Sequence, residues 1–214
     1  MIVERGVGIR VHYDRFPATI KGAFVLRGED RDPHQVRIHG ARVAAVGRDL
    51  ARPMGLRPAV VDVAPRRDLF VPFEFPTVDL EPAWYGLEID LEVDGHPARV
   101  ACGRPFSVPW PRAAVRRGQV RVAKLVSAGG VQVRVERLDL SSDSLKLRLT
   151  ADVPELPPLR LSADGEPVPI VEQAFDAGRR EGTVVAYPLL RSQGRLRIEV
   201  GRGRGRGTLE VPLP

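Results

Sequence analysis

Residues 68–95 read DLFVPFEFPTVDLEPAWYGLEIDLEVDG, and from Leu87 to Asp94 apolar and acidic residues alternate without a break. Tyr85, Leu87, Ile89, Leu91 and Val93 share one parity; Glu88, Asp90, Glu92 and Asp94 share the other. A strand turns successive side chains to opposite faces. The pattern therefore predicts a half-buried β-strand with a row of carboxylates on its outer face. Asp94-Gly95 closes it as a hairpin turn, since both residue types tolerate the positive φ of a tight two-residue loop. Just upstream, Leu69, Val71, Phe73 and Phe75 share one face of a second strand. Pro72 has no N–H to give to a ladder, so that strand belongs at a sheet edge or carries a bulge.

The same period of two runs outward in both directions. Ile9, Val11 and Tyr13 alternate with Arg10 and His12, Val36 and Ile38 alternate with Arg37, and residues 59–63 form a further short strand. Between Ala41 and Met54 the alternation blurs, and Val43, Val46 and Leu50 have the spacing of a short helix. In the second half, Val131, Val133 and Val135 repeat the pattern, as do Leu145, Leu147 and Leu149. Leu159 and Leu161 precede a second Asp-Gly turn at 164–165, and residues 183–190 and 196–200 follow as strands. Pro105, Pro109 and Pro111 stiffen a junction between the halves. The fold expected is all-β: two tandem antiparallel β-sandwiches of immunoglobulin-like type over residues 1–108 and 113–214, joined by a linker at 109–112.

Phe70-Val71-Pro72-Phe73-Glu74-Phe75-Pro76, leading to a long strand over residues 85–93 and preceded by Ile20-Lys21-Gly22-Ala23-Phe24-Val25-Leu26, resembles the N-terminal sandwich of arrestin-like proteins. The resemblance covers residues 7–108. It implies an adaptor or scaffold without catalytic activity, and it assigns no site residue.

Composition narrows the function classes. The 214 residues carry a formal net charge of +6, yet residues 68–95 hold eight carboxylates and no Lys or Arg. A basic protein of this kind tolerates acidic partners without requiring them. The single cysteine, Cys102, excludes an internal disulfide and a thiolate metal cluster. No apolar run approaches the roughly 18 residues of a membrane span, and the N-terminal residues lack a signal-peptide core. A cytoplasmic protein without a cofactor is expected.

Three constellations merit weighing. Glu88, Asp90, Glu92 and Asp94 stand about 6.6–7 Å apart along a strand, so they repel one another unless compensated. Cross-strand arginines such as Arg37, Arg42 or Arg99 would neutralise them. Left free, they would dock a basic protein partner, including a second copy of this chain. The spacing of a calcium loop is missing. Arg202, Arg204 and Arg206, spaced by glycines, resemble a nucleic-acid-binding tract, although a glycine-rich hairpin loop between two strands is the better reading of them. Trp84 and Trp110 suit stacking on a glycan or peptide, or packing.

Catalytic and metal signatures are missing. His12, His34, His39 and His96 lack metal-ligand spacing and read as surface residues. Ser141-Ser142-Asp143-Ser144 is a turn, with no nucleophile elbow. The expected role is non-catalytic: protein–protein interaction or scaffolding through an acidic strand and Arg-rich surfaces. A nucleic-acid accessory module and a glycan-binding sandwich are the alternatives.

Overall fold

The computed structural model describes residues 2–4, 6–15, 19–77 and 79–214, with side chains except at 2–4, 11–15, 102–103 and 204. His12, Cys102 and Arg204 are thus outside the described side chains. Two compact units divide the chain, Met1–Val108 and Pro109–Pro214. Residues 109–112, read above as a linker, fall in the second unit, where Trp110 sets its ring edge-on to Tyr187 at 5.2 Å.

In the first unit the strands are β1 (Ile2–Glu4), β2 (Val7–Arg15), β3 (Thr19–Gly28), β4 (His34–Ala45), β5 (Ala51–Pro53), β6 (Ala59–Val63), β7 (Asp68–Pro76), β8 (Ala83–Val93) and β9 (His96–Val108). They form one sheet in the order β1-β2-β3-β7 and another in the order β5-β4-β8-β9, with β6 also on β4. β7, the Pro72 strand, is an edge, as its missing N–H demands.

The two sheets meet through aromatic rings. Phe24 lies 4.9 Å from Phe73 in the first sheet, and Tyr85 stacks on Phe106 at 5.9 Å in the second. Phe75 and Phe106 join them edge-on at 6.2 Å. The Tyr85 hydroxyl donates to the Glu81 carbonyl at 3.0 Å, which lets the phenol sit in the core. Phe70 has the opposite parity and stands 62% exposed, so it is no part of this cluster.

The short helix expected near Val43 does not form: residues 34–45 are one strand. The reason is a bulge between Ile38 and Gly40 where β4 pairs with β8. One extra residue shifts the parity, so Val36 and Ile38 point inward before it and Ala41, Val43 and Ala45 after it. The alternation changes phase without ending.

The second unit contains β10 (Gly118–Ala128), β11 (Val131–Leu140), β12 (Leu145–Ala151), β13 (Leu159–Ala163), β14 (Glu166–Pro167), β15 (Ile170–Asp176), β16 (Glu181–Ala186), β17 (Arg195–Val200) and β18 (Gly207–Pro212). Their sheets run β10-β11-β12-β16-β15 and β14-β13-β17-β18. Leu138, Leu145, Leu147 and Leu149 from one sheet and Leu196, Ile198 and Val200 from the other are all buried. β16 stops at Ala186, short of the residues 183–190 expected, because it is paired on both sides and Pro188 has no donor for either ladder.

Tight turns fix the hairpins. Asp94 and Gly95 have φ of 50° and 80°, Asp164 and Gly165 have 49° and 92°. Two successive positive φ values make the turn that matches strand twist. Both units are antiparallel β-sandwiches.

Candidate functional site: a neutralised acidic ridge and its histidine clasp

The register of the second sheet decides the chemistry of the acidic strand. Arg42 on β4 lies opposite Glu88, Arg37 opposite Glu92, and Arg99 on β9 opposite Asp90. Arg42 donates through both Nε and Nη2 to Glu88 at 2.6 Å. Arg99 Nε donates to Asp90 at 2.5 Å. Glu92 is contacted more loosely, by Arg37 at 4.0 Å and His39 at 3.6 Å. All three arginines named from the sequence are therefore in place. Half-exposed pairs like these are each worth below about 1 kcal/mol, but together they cancel the repulsion along the row. The ridge is a lattice of alternating charge.

Asp94 has a different partner. At the start of β4, His34 is 8% exposed and holds a carboxylate on each ring nitrogen: Nδ1 to Asp94 at 2.6 Å, Nε2 to Asp30 at 2.7 Å. Only the protonated ring donates from both nitrogens. The bond to Asp94, then that to Asp30, raises the pKa of His34 above its ordinary value, against the opposing effect of burial. Reciprocally, the bond to His34 lowers both Asp30 and Asp94. Asp94 also accepts the Gln35 N–H at 2.9 Å, and Asp30 accepts that of Asp32 at 3.1 Å.

Gly6 lies directly against this clasp. A Cβ there would stand 2.2 Å from Asp30 Oδ2 and 2.9 Å from His34 Nε2. The clasp ties the loop before β4 to the β8–β9 turn. In its protonated form, with both ring nitrogens donating, His34 has no free lone pair. The reading of His34 as a surface histidine is thus corrected. The signal that could have found it is the acidic run Glu29-Asp30-Arg31-Asp32 just upstream, which brings a carboxylate to position i−4.

Other candidates are placed plainly. Trp84 and Trp110 are half-buried, the latter against Tyr187. Residues 201–206 form the loop of the β17–β18 hairpin; Arg206 pairs with Glu199 at 2.9 Å, while Arg202 is exposed. Ser141 donates to Asp143 at 2.7 Å within a closed turn. Among the described residues no group of three or more His, Cys, Asp or Glu could hold a metal ion, and no helix is long and apolar enough to cross a membrane.

The charge of the chain is divided unevenly. Residues 1–108 hold fifteen Lys and Arg against fifteen Asp and Glu, whereas residues 109–214 hold eighteen against twelve. The whole excess of +6 resides in the second unit. The eight acids of residues 68–95 are offset by arginines elsewhere in the same unit.

No protein-family model matches the chain, and no curated protein matches it. Among solved structures it is similar to a conserved domain protein from Bacillus anthracis, at 10% identity over 99% of this chain and 87% of that one, with a TM-score of 0.31. Two marsupial T cell receptor chains match at 9% identity and TM-scores of 0.27, over 96% and 99% of this chain and 62% and 98% of theirs. The sandwich architecture rests on the pairing and burial described above, not on these scores.

Proposed function

We propose that the protein is a non-catalytic interaction module that docks onto an anionic partner through arginines of its second unit. The observation that carries this reading is the charge division: a neutral first unit and a second unit with an excess of +6. Several of the arginines concerned, including Arg112, Arg121, Arg160 and Arg202, form no ion pair among the described residues. Unpaired surface cations steer and orient an oppositely charged partner. An adaptor role of the arrestin-like kind is compatible with it. The engaged ridge offers a second copy no free acidic face, which favours a different molecule as the partner.

The test is binding of the full chain to polyglutamate, duplex DNA and single-stranded RNA across a salt series. A complex with polyglutamate that weakens steeply with salt is expected. Binding of the nucleic acids alone would favour the accessory-module alternative. No salt-dependent complex with any polyanion would overturn the reading.

A further inference from the structure

Within the second unit, a cavity of about 360 Å³ is lined by Arg116, Arg117, Leu140, Arg191 and Pro214. Its walls are built by a short antiparallel contact. Val115 and Leu190 form an isolated bridge. The Arg116 N–H donates to the Leu189 carbonyl at 2.8 Å and the Arg191 N–H to that of Ala114 at 2.9 Å. The two arginine-bearing segments thus run side by side.

Their side chains are then fixed by backbone oxygens. Arg116 donates through Nε to the Gln193 carbonyl at 2.8 Å and through Nη2 to the Arg191 carbonyl at 3.0 Å. Arg191 Nε donates to the Val115 carbonyl at 3.3 Å. A guanidinium has five N–H donors, so Arg116 keeps about three uncommitted and Arg191 about four. Arg117 is exposed and makes no side-chain bond or ion pair among the described residues.

No side-chain carboxylate lines this cavity beside these three charges. Among the described residues none of Arg116, Arg117 and Arg191 forms an ion pair. The contrast with a neighbouring hollow is direct. A cavity of about 630 Å³ in the same unit is also lined by arginines, Arg195 and Arg197, but with Glu199 and Glu210 beside them. There each arginine is paired, Arg195 with Glu210 and Arg197 with Glu199, both at 3.2 Å.

Three like charges around one concavity repel. Arginine cannot relieve this by losing its proton, as a lysine would. A bound anion relieves it. The ordering cost is already met for Arg116 and Arg191, whose carbonyl anchors restrict their rotamers before any ligand arrives. A single carboxylate is satisfied by one guanidinium fork, whereas several forks around one space suit a dianion with three or more oxygens.

We propose that Arg116, Arg117 and Arg191 form a binding site for a phosphate-class oxyanion. This rests on the reading of the second unit as the anion-docking half, and it specifies where and what that half recognises. The group is either free phosphate or a phosphate ester on a partner.

The experiment is calorimetric titration of the full chain with inorganic phosphate, ionic strength being held constant with sodium chloride, followed by phosphoserine. Saturable one-site binding is expected. R117Q, which touches no structural bond, should weaken it about tenfold, the loss of one charge-assisted contact. K124Q, removing an exposed cation of the same unit that forms no ion pair among the described residues and lies outside this cavity, should leave it unchanged. R116Q and R191Q should abolish it; because both also anchor the bridge, R117Q carries the decision. Tighter binding of phosphoserine assigns the site to an ester, and binding of phosphate alone assigns it to the free ion. Absence of saturable phosphate binding overturns the proposal, and so does equal weakening by K124Q and R117Q, which would mean diffuse charge. If phosphate fails while polyglutamate still binds in a salt-dependent way, the site falls and the broader reading stands; if both fail, both fall.

Discussion

The two units use the same architecture to different ends. Each is a pair of antiparallel sheets with one hairpin that turns on an Asp-Gly pair of positive φ. In the first, the core is aromatic, with Phe24, Phe73, Phe75, Tyr85 and Phe106 in one cluster. In the second it is aliphatic, dominated by leucines on β11, β12 and β13. The outer faces diverge further. On the ridge of the first unit, Arg37, Arg42 and Arg99 lie opposite carboxylates in register. Single carboxylates are shared in both units, Asp68 by Arg10 and Arg27 in the first and Asp139 by Arg137 and Arg148 in the second, but only in the second do cations outnumber acids. Strand parity separates the two jobs: inward positions decide the fold, and outward positions are free to set charge.

The largest effect lies in the aromatic core. Phe106 touches rings from both sheets and is 2% exposed. Phe106→Ala removes that bridge and leaves a cavity, so a loss of about 3–5 kcal/mol is expected, read from urea unfolding. A loss below about 1 kcal/mol would mean that the ring does not hold the sheets together. The aromatic and aliphatic cores would then differ in composition only.

Next comes the clasp, which the second unit lacks. His34 titrates above its ordinary 6.5, so its contribution is complete below that value and fades as pH rises through the raised one. Asp30 and Asp94 titrate below 3.8, so theirs is complete above that value and fades as pH falls through the lowered ones. The clasp therefore stabilises the first unit most between the carboxylate range and the ordinary imidazole value, and progressively less up to the raised one. His34→Ala should cost about 1–3 kcal/mol near pH 6. It should also flatten the decline in stability between pH 6 and pH 9, followed by thermal melts in matched buffers. An unchanged slope would show that the ring does not titrate between its two carboxylates.

The all-β class was legible because Leu87–Asp94 and Leu145–Thr150 alternate so cleanly, and Asp94-Gly95 marked its turn outright. The β4 bulge was not legible, since one inserted residue changes parity and imitates the loss of a strand. The ridge partners Arg37, Arg42 and Arg99 could be named from parity alone, for cross-strand neighbours follow from register. The clasp was legible only in its Asp30 half, at i−4 from His34, because Asp94 lies in the β8–β9 turn beyond the paired rungs of β4 and β8. The arginine cavity was not legible: Arg116 and Arg191 are 75 positions apart, and only the Val115–Leu190 bridge unites them.

The smallest effect tests the ridge itself. Glu88 and Arg42 form its tightest doubly bonded pair, yet their side chains remain 25% and 34% exposed. Water competes for both groups and holding two long side chains costs entropy, so Glu88→Gln should cost less than about 1 kcal/mol at low salt. That small gap should close further as salt is added, because an exposed pair is screened. The same variant leaves Arg42 unanswered, as Arg117 is in the second unit. One released cation in an otherwise neutral unit is a weak attractor. Polyglutamate affinity should accordingly change by less than about twofold. A large rise would mean that the ridge arginines bind anions as well as those of the second unit once freed. The asymmetry between the units would then lie in pairing and not in net charge.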